Sequence, residues 1–594
     1  MNLKKILLIT LIFLVLTGIF TYPFIFKLST HIPAFETTDE PFGALWNFWY
    51  SAFSISNHLP GSSCAWIAAP FGMHNTASAY YVWDAINKIL SLAVGNILTY
   101  NLQIIFSYLL SGLFMYLLLW HLTKNALASL VAGIIYAFCP FHAVRTWQHL
   151  GLAMIQWMPL YILTLLRLHE KQNIRRTIEC GLCFFLVAAF DFYFAYFMLL
   201  ITLVFVAYHL MRPAMIKTQG KFKFLRSILV SYTIALILLI PSISVILKGR
   251  AEAVTQKASA FNPFVRPFED LFAQSARPLS YFLPASTHPL FGNMTQQMVG
   301  NSLYGESLTE HTLYLGIIPL ILAFIAFKRR KDVAAKITAS QNPGYYFTFF
   351  VVLAVASWLF SQPPWWDIVG FKIPMPSALL YKILPMFRAY CRFGIVVMLA
   401  VAVLAAYGFI AFSNKNKHTR TKIFLVLMIG ILFEFWTYPP QKVLQVSEFP
   451  AVYSWLAQQP NDIIIAEYPL DNGSPNEMYK FYQTKHHKKI INGTIPGSKP
   501  HEFAQTIAVL SAHNTPARLK GMGVTYVLVH HDGYAQSGLS SDLDELAALQ
   551  AQKGLKLVKT FPGEDSLNDD IMSVKKIGQT DVYEIVMNAE PVAY

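Results

Sequence analysis

Long apolar runs separated by short polar turns recur through the first three quarters of the chain. The opening MNLKKILLITLIFLVLTGIFTYPFIF sets Lys4 and Lys5 ahead of an apolar stretch that reaches Phe26 without a small-residue cleavage site, so it predicts a retained membrane anchor rather than a removed signal peptide. Further runs at about 100–120, 126–141, 149–168, 177–190, 194–211, 227–247, 312–327, 346–361, 391–412 and 423–438 bring the expected number of spans to about eleven. Several are short for a hydrocarbon core of about 30 Å, which predicts broken or partly re-entrant helices. From about residue 445 the period changes. Apolar runs shrink to strand length in IIIAEYPL (463–470), VTYVLVHH (524–531) and VYEIV (582–586), with charged helical stretches between them. The expected architecture is a polytopic α-helical membrane protein, with a transmembrane domain over 1–438 and a small C-terminal α/β soluble domain over 439–594. No internal repeat interrupts this reading.

Composition agrees. Of 594 residues, 55% are hydrophobic and 13% charged, about half the charged share of soluble domains, which is about 25%. The net charge of +14 would suggest nucleic acid in a soluble protein, but here the basic residues form short clusters between apolar runs, the positive-inside pattern. One set of loops carries Lys4/Lys5, Lys124, Arg167 to Arg176, Arg212 to Arg226, Lys328 to Lys331 and Lys415 to Lys422; the opposite set holds the long segments 27–99, 248–311, 362–390 and everything after 439. With an odd number of spans this places the N-terminus in the cytoplasm and the C-terminal domain outside an inner, cytoplasmic membrane. The five cysteines, Cys64, Cys139, Cys180, Cys183 and Cys391, lack metal-ligand spacing and imply neither a disulfide framework nor a zinc site.

Chemistry is therefore sought on the outer side. In ETTDEPFGALWNFWYSAF (36–53), Thr38, Asp39 or Glu40 can cap a helix that Pro41 helps to start, and Phe42, Leu45, Trp46, Trp49 and Phe53 share one face. The pattern predicts an amphipathic helix lying in the membrane interface, with acidic residues at its start; spacing alone fits caps and solvated charges as well as a catalyst. Asp84 in YYVWDAINKIL stands in an apolar setting where a carboxylate is costly, and Asp191 sits in a tight outer hairpin that suits a turn role. Arg145, Arg388 and Arg392 oppose the positive-inside bias, and arginine's planar fork suits phosphate. The spacing of four would put Arg388 and Arg392 on one helix face, and interfacial snorkelling is the alternative. Glu310 lies in the long outer segment 248–311, either a loop contact or an ordinary loop charge. His142 and His149 have no carboxylate or cysteine partner at metal spacing, and the histidine pairs 486/487 and 530/531 fit structural roles. No nucleotide fingerprint is present.

The order of these features, through TDEPFGALWNFWY, APFGMHNTASAYYVWDAINKIL, AFCPFHAVRTWQHLGLAMIQWMPLYILTLLRL, LTEHTLYLGIIPLIL and IPMPSALLYKILPMFRAYCRFGIVVML, resembles bacterial membrane glycosyltransferases of the GT-C class. The tail resembles the outer domains of such proteins in IIIAEYPL, KHHKKIINGT and LKGMGVTYVLVH. The resemblance implies inverting transfer of a sugar from a polyprenyl-phosphate donor to an envelope lipid, glycan or protein on the outer face. It implies Asp39 as a general base, or as a ligand that helps hold a divalent cation (Mg or Mn), with Glu40 beside it and Asp84 as a second acidic candidate. Arg392, Arg388 and Arg145 would hold the donor phosphate. A lipid or solute transporter, or a flippase, is the rival reading. It predicts internal repeats and polar groups at mid-membrane, whereas the polar residues here collect on one side. An envelope scaffold without catalysis is the third.

Overall fold

A computed structural model describes residues 2–33, 40–60, 63–74, 78–212, 221–255, 264–337, 343–412, 416–437, 443–470, 474–496, 498–536, 540–563 and 577–587. The chain is mostly helical and divides into two compact units, one formed by Met1–Ile25, Gln103–Ser244 and Pro263–Gln441, the other by Phe26–Leu102, Val245–Asn262 and Lys442–Tyr594.

Five helices are long and apolar enough to cross a membrane, Leu3–Phe20, Asn96–Thr123, Phe192–Met211, Pro343–Ser361 and the segment Tyr390–Phe412. Two bent pairs raise the number to seven, Ala126–Ala137 with Pro140–Gln148 (41°) and Phe222–Leu238 with Ile240–Ala251 (64°). The protein is an integral membrane protein with five to seven such spans among the described residues. Other runs read from the sequence form shorter helices: 149–168 divides into Leu150–Ala153 and Trp157–Glu170, and 312–327 shortens to Ile317–Lys328. The Pro140 break has a local cause. Proline cannot donate into the preceding turn, but at a first helical position its missing N–H costs nothing.

The Gly394–Phe412 helix, GIVVMLAVAVLAAYGFIAF, is apolar on every side and therefore belongs in the middle of the bundle. It packs against Ile317–Lys328, Pro343–Ser361 and Ala126–Ala137. Gly408 permits the closest approach, since a Cβ there would lie 1.8 Å from the carbonyl oxygen of Leu322. The Ile317–Lys328 helix is held at its start by Glu434, whose carboxylate accepts from the Ile317 N–H (2.9 Å), the Ile318 N–H (3.2 Å) and the Tyr314 hydroxyl (3.3 Å). A carboxylate suits a helix N-terminus because it satisfies free N–H groups and complements the dipole.

The second unit contains a five-stranded mixed sheet in the order Leu555–Phe561, Thr580–Ile585, Val524–His530, Ile464–Tyr468, Lys489–Ile490. The first three strands are antiparallel neighbours, whereas Ile464–Tyr468 runs parallel to strands on both sides, with Tyr468 opposite Val529 and Ile465 opposite Ile490. The strands at 464–468, 524–530 and 580–585 occupy the three short apolar runs. Helices such as Ser474–His486 and Thr515–Gly521 lie between them in the chain.

The same unit holds the helix Glu40–Ser56. Its aromatic face, expected at a membrane interface, is covered by protein instead. Phe42 meets Phe481, the Trp46 indole donates to Gln483 Oε1 (2.7 Å), and Trp49 stacks on His487 at 5.4 Å between ring centres. Just before it in the chain, His31–Pro33 pairs antiparallel with Val443–Gln445. An aromatic stripe at helical spacing reads the same from sequence whether lipid or a second helix covers it, and here the Ser474–His486 helix does so.

Candidate functional site: a buried arginine–glutamate cluster

Three of the residues singled out in the sequence meet in the first unit. Arg145 is carried by the short helix that Pro140 starts, Arg392 by the single turn Tyr390–Phe393 at the head of the central helix, and Glu310 by a turn at the end of the segment 248–311. Ser307 builds that turn: its hydroxyl accepts from the Glu310 N–H (3.1 Å) and its carbonyl from the His311 N–H (3.1 Å). The His311 ring is bonded to the carbonyls of Ser307 (3.1 Å) and Ser275 (3.0 Å). Gly305, at φ +111°, lies so close to this ring that a Cβ would come within 2.3 Å of it, so both the turn and the packing require glycine.

Glu310 Oε1 accepts from Arg392 Nη2 (2.6 Å), and Oε2 accepts from Arg145 Nη2 (2.7 Å). Arg392 Nε lies 3.2 Å from both oxygens, and the Cys391 thiol donates to Oε2 at 3.3 Å. Arg145 is fully buried and Glu310 is 5% exposed. Burial alone would raise the Glu310 pKa, but Arg145 and Arg392 outweigh it and hold the carboxyl well below its usual range. The pair of guanidinium groups against one carboxylate leaves one net positive charge. Arg145 Nε and Nη1 are buried without a hydrogen-bond partner, so the cluster keeps donor capacity that a buried group does not waste. Arg392 lies 4.7 Å above the Tyr193 ring and Arg145 4.9 Å from Phe141, contacts that orient the two guanidinium planes. His149, 4.0 Å from Glu310 Oε1, stands at the edge of the group.

Arg388 does not join them. Its Nη1 donates to Asp270 at 2.6 Å, and its backbone N–H donates to the Tyr193 hydroxyl at 3.3 Å. The expected shared helix face with Arg392 is absent because the helical turn begins only at Tyr390, after Arg388. Asp191 caps the Phe192–Met211 helix by accepting from the Phe194 N–H (3.0 Å), the turn role its position suggested. His142 is buried in the core, bonded to Ser107 (3.0 Å) and to the Ala137 carbonyl (2.6 Å).

The acidic candidates belong to the second unit. Asp39 lies outside the described residues. Glu40 opens the Glu40–Ser56 helix and is exposed, and Asp84 lies in the first turn of Tyr81–Val94, half-buried, its pKa raised by burial against the opposing effect of the Ser78 hydroxyl. Sequence reasoning passed over a buried carboxylate in the tail. Glu467 accepts from the Tyr453 hydroxyl (2.6 Å) and is paired with His530 Nε2 (2.9 Å). A Glu alternating with apolar residues inside IIIAEYPL was its signal. Among the described residues, no three His, Cys, Asp or Glu side chains come together to hold a metal ion.

Comparison with solved structures gives the fold. The arabinofuranosyltransferase AftD from Mycobacteria aligns over 99% of this chain with a TM-score of 0.58 and 13% identity. This chain spans only 40% of that protein's length. The oligosaccharyltransferase AglB from Archaeoglobus fulgidus, in complex with an inhibitory peptide and a dolichol-phosphate, aligns with a TM-score of 0.49 and 12% identity, over 91% of this chain and 72% of that one. ArnT from Cupriavidus metallidurans, bound to undecaprenyl phosphate, aligns with a TM-score of 0.42 and 12% identity, over 98% of this chain and 99% of that one. The AftD alignment makes this a GT-C-like fold. No curated protein matches the sequence. A family described as a domain of unknown function, DUF6311, matches residues 86–433, more than half of the chain.

Proposed function

This chain belongs to the DUF6311 family, and from its GT-C-like fold and its buried cluster we propose that it is a membrane glycosyltransferase taking sugar from a polyprenyl-phosphate donor. The observation that carries the reading is the Arg145–Glu310–Arg392 group. Two cations share one carboxylate, and free guanidinium donors remain in a site low in water, where a charge-assisted bond to phosphate is strongest. In this reading Arg392 and Arg145 bind the phosphate, Glu310 fixes the two guanidinium groups, and Arg388 would take part only by leaving Asp270. Neutralising the phosphate stabilises it as leaving group while the acceptor attacks the sugar C1 from the opposite side, so the anomeric configuration inverts. Asp39 takes the acceptor's proton, with Glu40 beside it and Asp84 as the alternative base. One carboxylate suffices because the phosphate leaves without protonation, unlike the leaving group of a glycoside hydrolase.

A divalent cation, Mg or Mn, would be held through Asp39. Loss of turnover on chelation with EDTA is its test. The proposed acceptor is an envelope lipid, glycan or protein on the outer face of the inner membrane, and nucleic acid has no part. The deciding experiment incubates the purified protein with a panel of polyprenyl-phosphate sugars and total envelope lipids and glycans, and follows transfer by mass spectrometry. Transfer is expected in wild type, with a loss of about 10² to 10⁴ in Asp39→Asn, the usual effect of removing a general base. Undiminished turnover in that variant would move the role to Asp84. Donor binding with no transfer to any acceptor would favour the lipid transporter.

A further inference from the structure

Between the apolar helices Pro343–Ser361 and Gly394–Phe412, the chain forms a two-stranded hairpin, Trp365–Ile368 paired with Phe371–Pro374, and then a short helix, Pro376–Ile383. The base of the hairpin is firmly held. Trp365 packs on Phe272 at 4.7 Å and on Phe268 at 5.9 Å, Trp366 meets Trp358 at 5.5 Å, and the Met375 N–H donates to the Pro364 carbonyl (2.9 Å). The tip is different. Its two-residue turn places Val369 at φ +52° and Gly370 at φ +84°, a geometry that favours asparagine, aspartate or glycine and that strains a β-branched residue.

The strained valine is also 93% exposed, and Phe371 beside it is 77% exposed. On the following helix, Leu379 and Ile383 are one turn apart and 63% and 66% exposed. Water gives no return for a strained, fully exposed valine at the head of an apolar patch; lipid does. Both ends of this connection run directly into membrane-spanning segments, so the patch continues the lipid-facing surface. Trp365 and Trp366 sit at its base, where aromatic residues mark the boundary between lipid and water. Lys372 lies over the Trp365 ring at 5.0 Å, and Lys382 is exposed, two cations placed for lipid phosphates. The one carboxylate of the hairpin, Asp367, is exposed and accepts the Gly370 N–H at 2.9 Å across the turn.

We propose that the tip of this hairpin and the Leu379/Ile383 face are immersed in the adjoining lipid leaflet, as an interfacial anchor whose partner is the bilayer itself. The anchor shares its root with the arginines. The Tyr381 hydroxyl donates to the Arg266 carbonyl, and the segment that carries Arg266, Phe268 and Phe272 also carries Asp270, the partner of Arg388. Anchoring the hairpin thus fixes the depth of Arg388 relative to the headgroups, whether or not the protein transfers sugar.

The test uses the full-length protein in nanodiscs of phosphatidylcholine and phosphatidylglycerol, where iodide reaches both faces. Cys183, the one cysteine that is not buried, is replaced by Ser, and Val369→Cys is labelled with bimane. A nitroxide lipid labelled near its headgroup is expected to quench the bimane at least twofold while iodide leaves it nearly unchanged. Strong quenching by iodide with none by the lipid would overturn the proposal. A second probe guards against a disturbed turn. With bimane at Leu379→Cys, the change Val369→Asp is expected to reduce lipid quenching by about half, and unchanged quenching would count against an immersed tip.

Discussion

Glu310 answers one fully buried and one largely buried guanidinium group with one carboxylate, so removing its charge leaves two cations facing each other with little water. Glu310→Gln is expected to lower the stability of the folded protein by about 3 to 5 kcal/mol, the usual cost of breaking a buried pair from one side. Thermal unfolding in detergent checks this, and a loss below about 1 kcal/mol would mean that water already screens the site. Asp191 gives a pH-dependent counterpart. Burial raises its carboxyl to about 6 against the opposing influence of the Phe194 N–H and Arg392, so between about 4 and 6 the folded protein holds a proton that the unfolded chain has lost. Stability is expected to be fullest below that window and to fall as pH rises through it, by at most about 1.4 kcal/mol per unit. Asp191→Asn, which keeps a capping oxygen, should flatten that slope in unfolding measured from pH 4 to 7. The charges themselves were legible in the sequence, because each is an exception to an apolar or positive-inside background. Their partners were not, since 165 positions separate Arg145 from Glu310 and 82 separate Glu310 from Arg392.

At the scale of elements, the helix Glu40–Ser56 depends on a single amide in a distant helix. Gln483 accepts from the Trp46 indole (2.7 Å) and donates to the carbonyls of Trp66 (2.7 Å) and Lys488 (2.8 Å), tying three segments together without leaving a polar atom free. Gln483→Met keeps the volume but strands buried donors and acceptors, each at about 1 to 3 kcal/mol. Its expected result is faster chymotrypsin cleavage at Trp49, Tyr50 and Phe53 within the helix, and a lower melting temperature; an unchanged cleavage rate would show that ring packing alone holds the helix. The start of this helix at Glu40 and the aromatic stripe along it could be read from EPFGALWNFWY, because capping residues and period are local properties. The surface that covers the stripe is not local. The same limit explains the arginine spacing: four residues define a helix face only where a helix exists, and LPMFRAYCRF forms just one turn.

For the whole molecule, the alternation of basic loops makes a claim that reporters can check. A fusion at Tyr594 is expected to be active only for an extracytoplasmic reporter, and one at Arg420 only for a cytoplasmic one. Identical behaviour at both sites would mean that a span has been missed or invented. The class of the molecule was legible because 55% hydrophobic residues with 13% charged admit no soluble alternative. The span count was less so, since a run of apolar residues does not reveal whether proline or a tight turn will divide it, as at Pro140 and in 149–168.

The bond between Trp46 and Gln483 crosses 437 positions, and the strand pair His31–Pro33 with Val443–Gln445 closes a loop of similar length. During synthesis at about 5 to 20 residues per second, the Glu40 helix must wait roughly 20 to 90 s for its partner to leave the ribosome. For that interval its aromatic face is a client for chaperones and a target for quality-control proteases. A nascent chain stalled before Val443 would be cleared rather than stored, so the last segment to be made decides whether the first one survives.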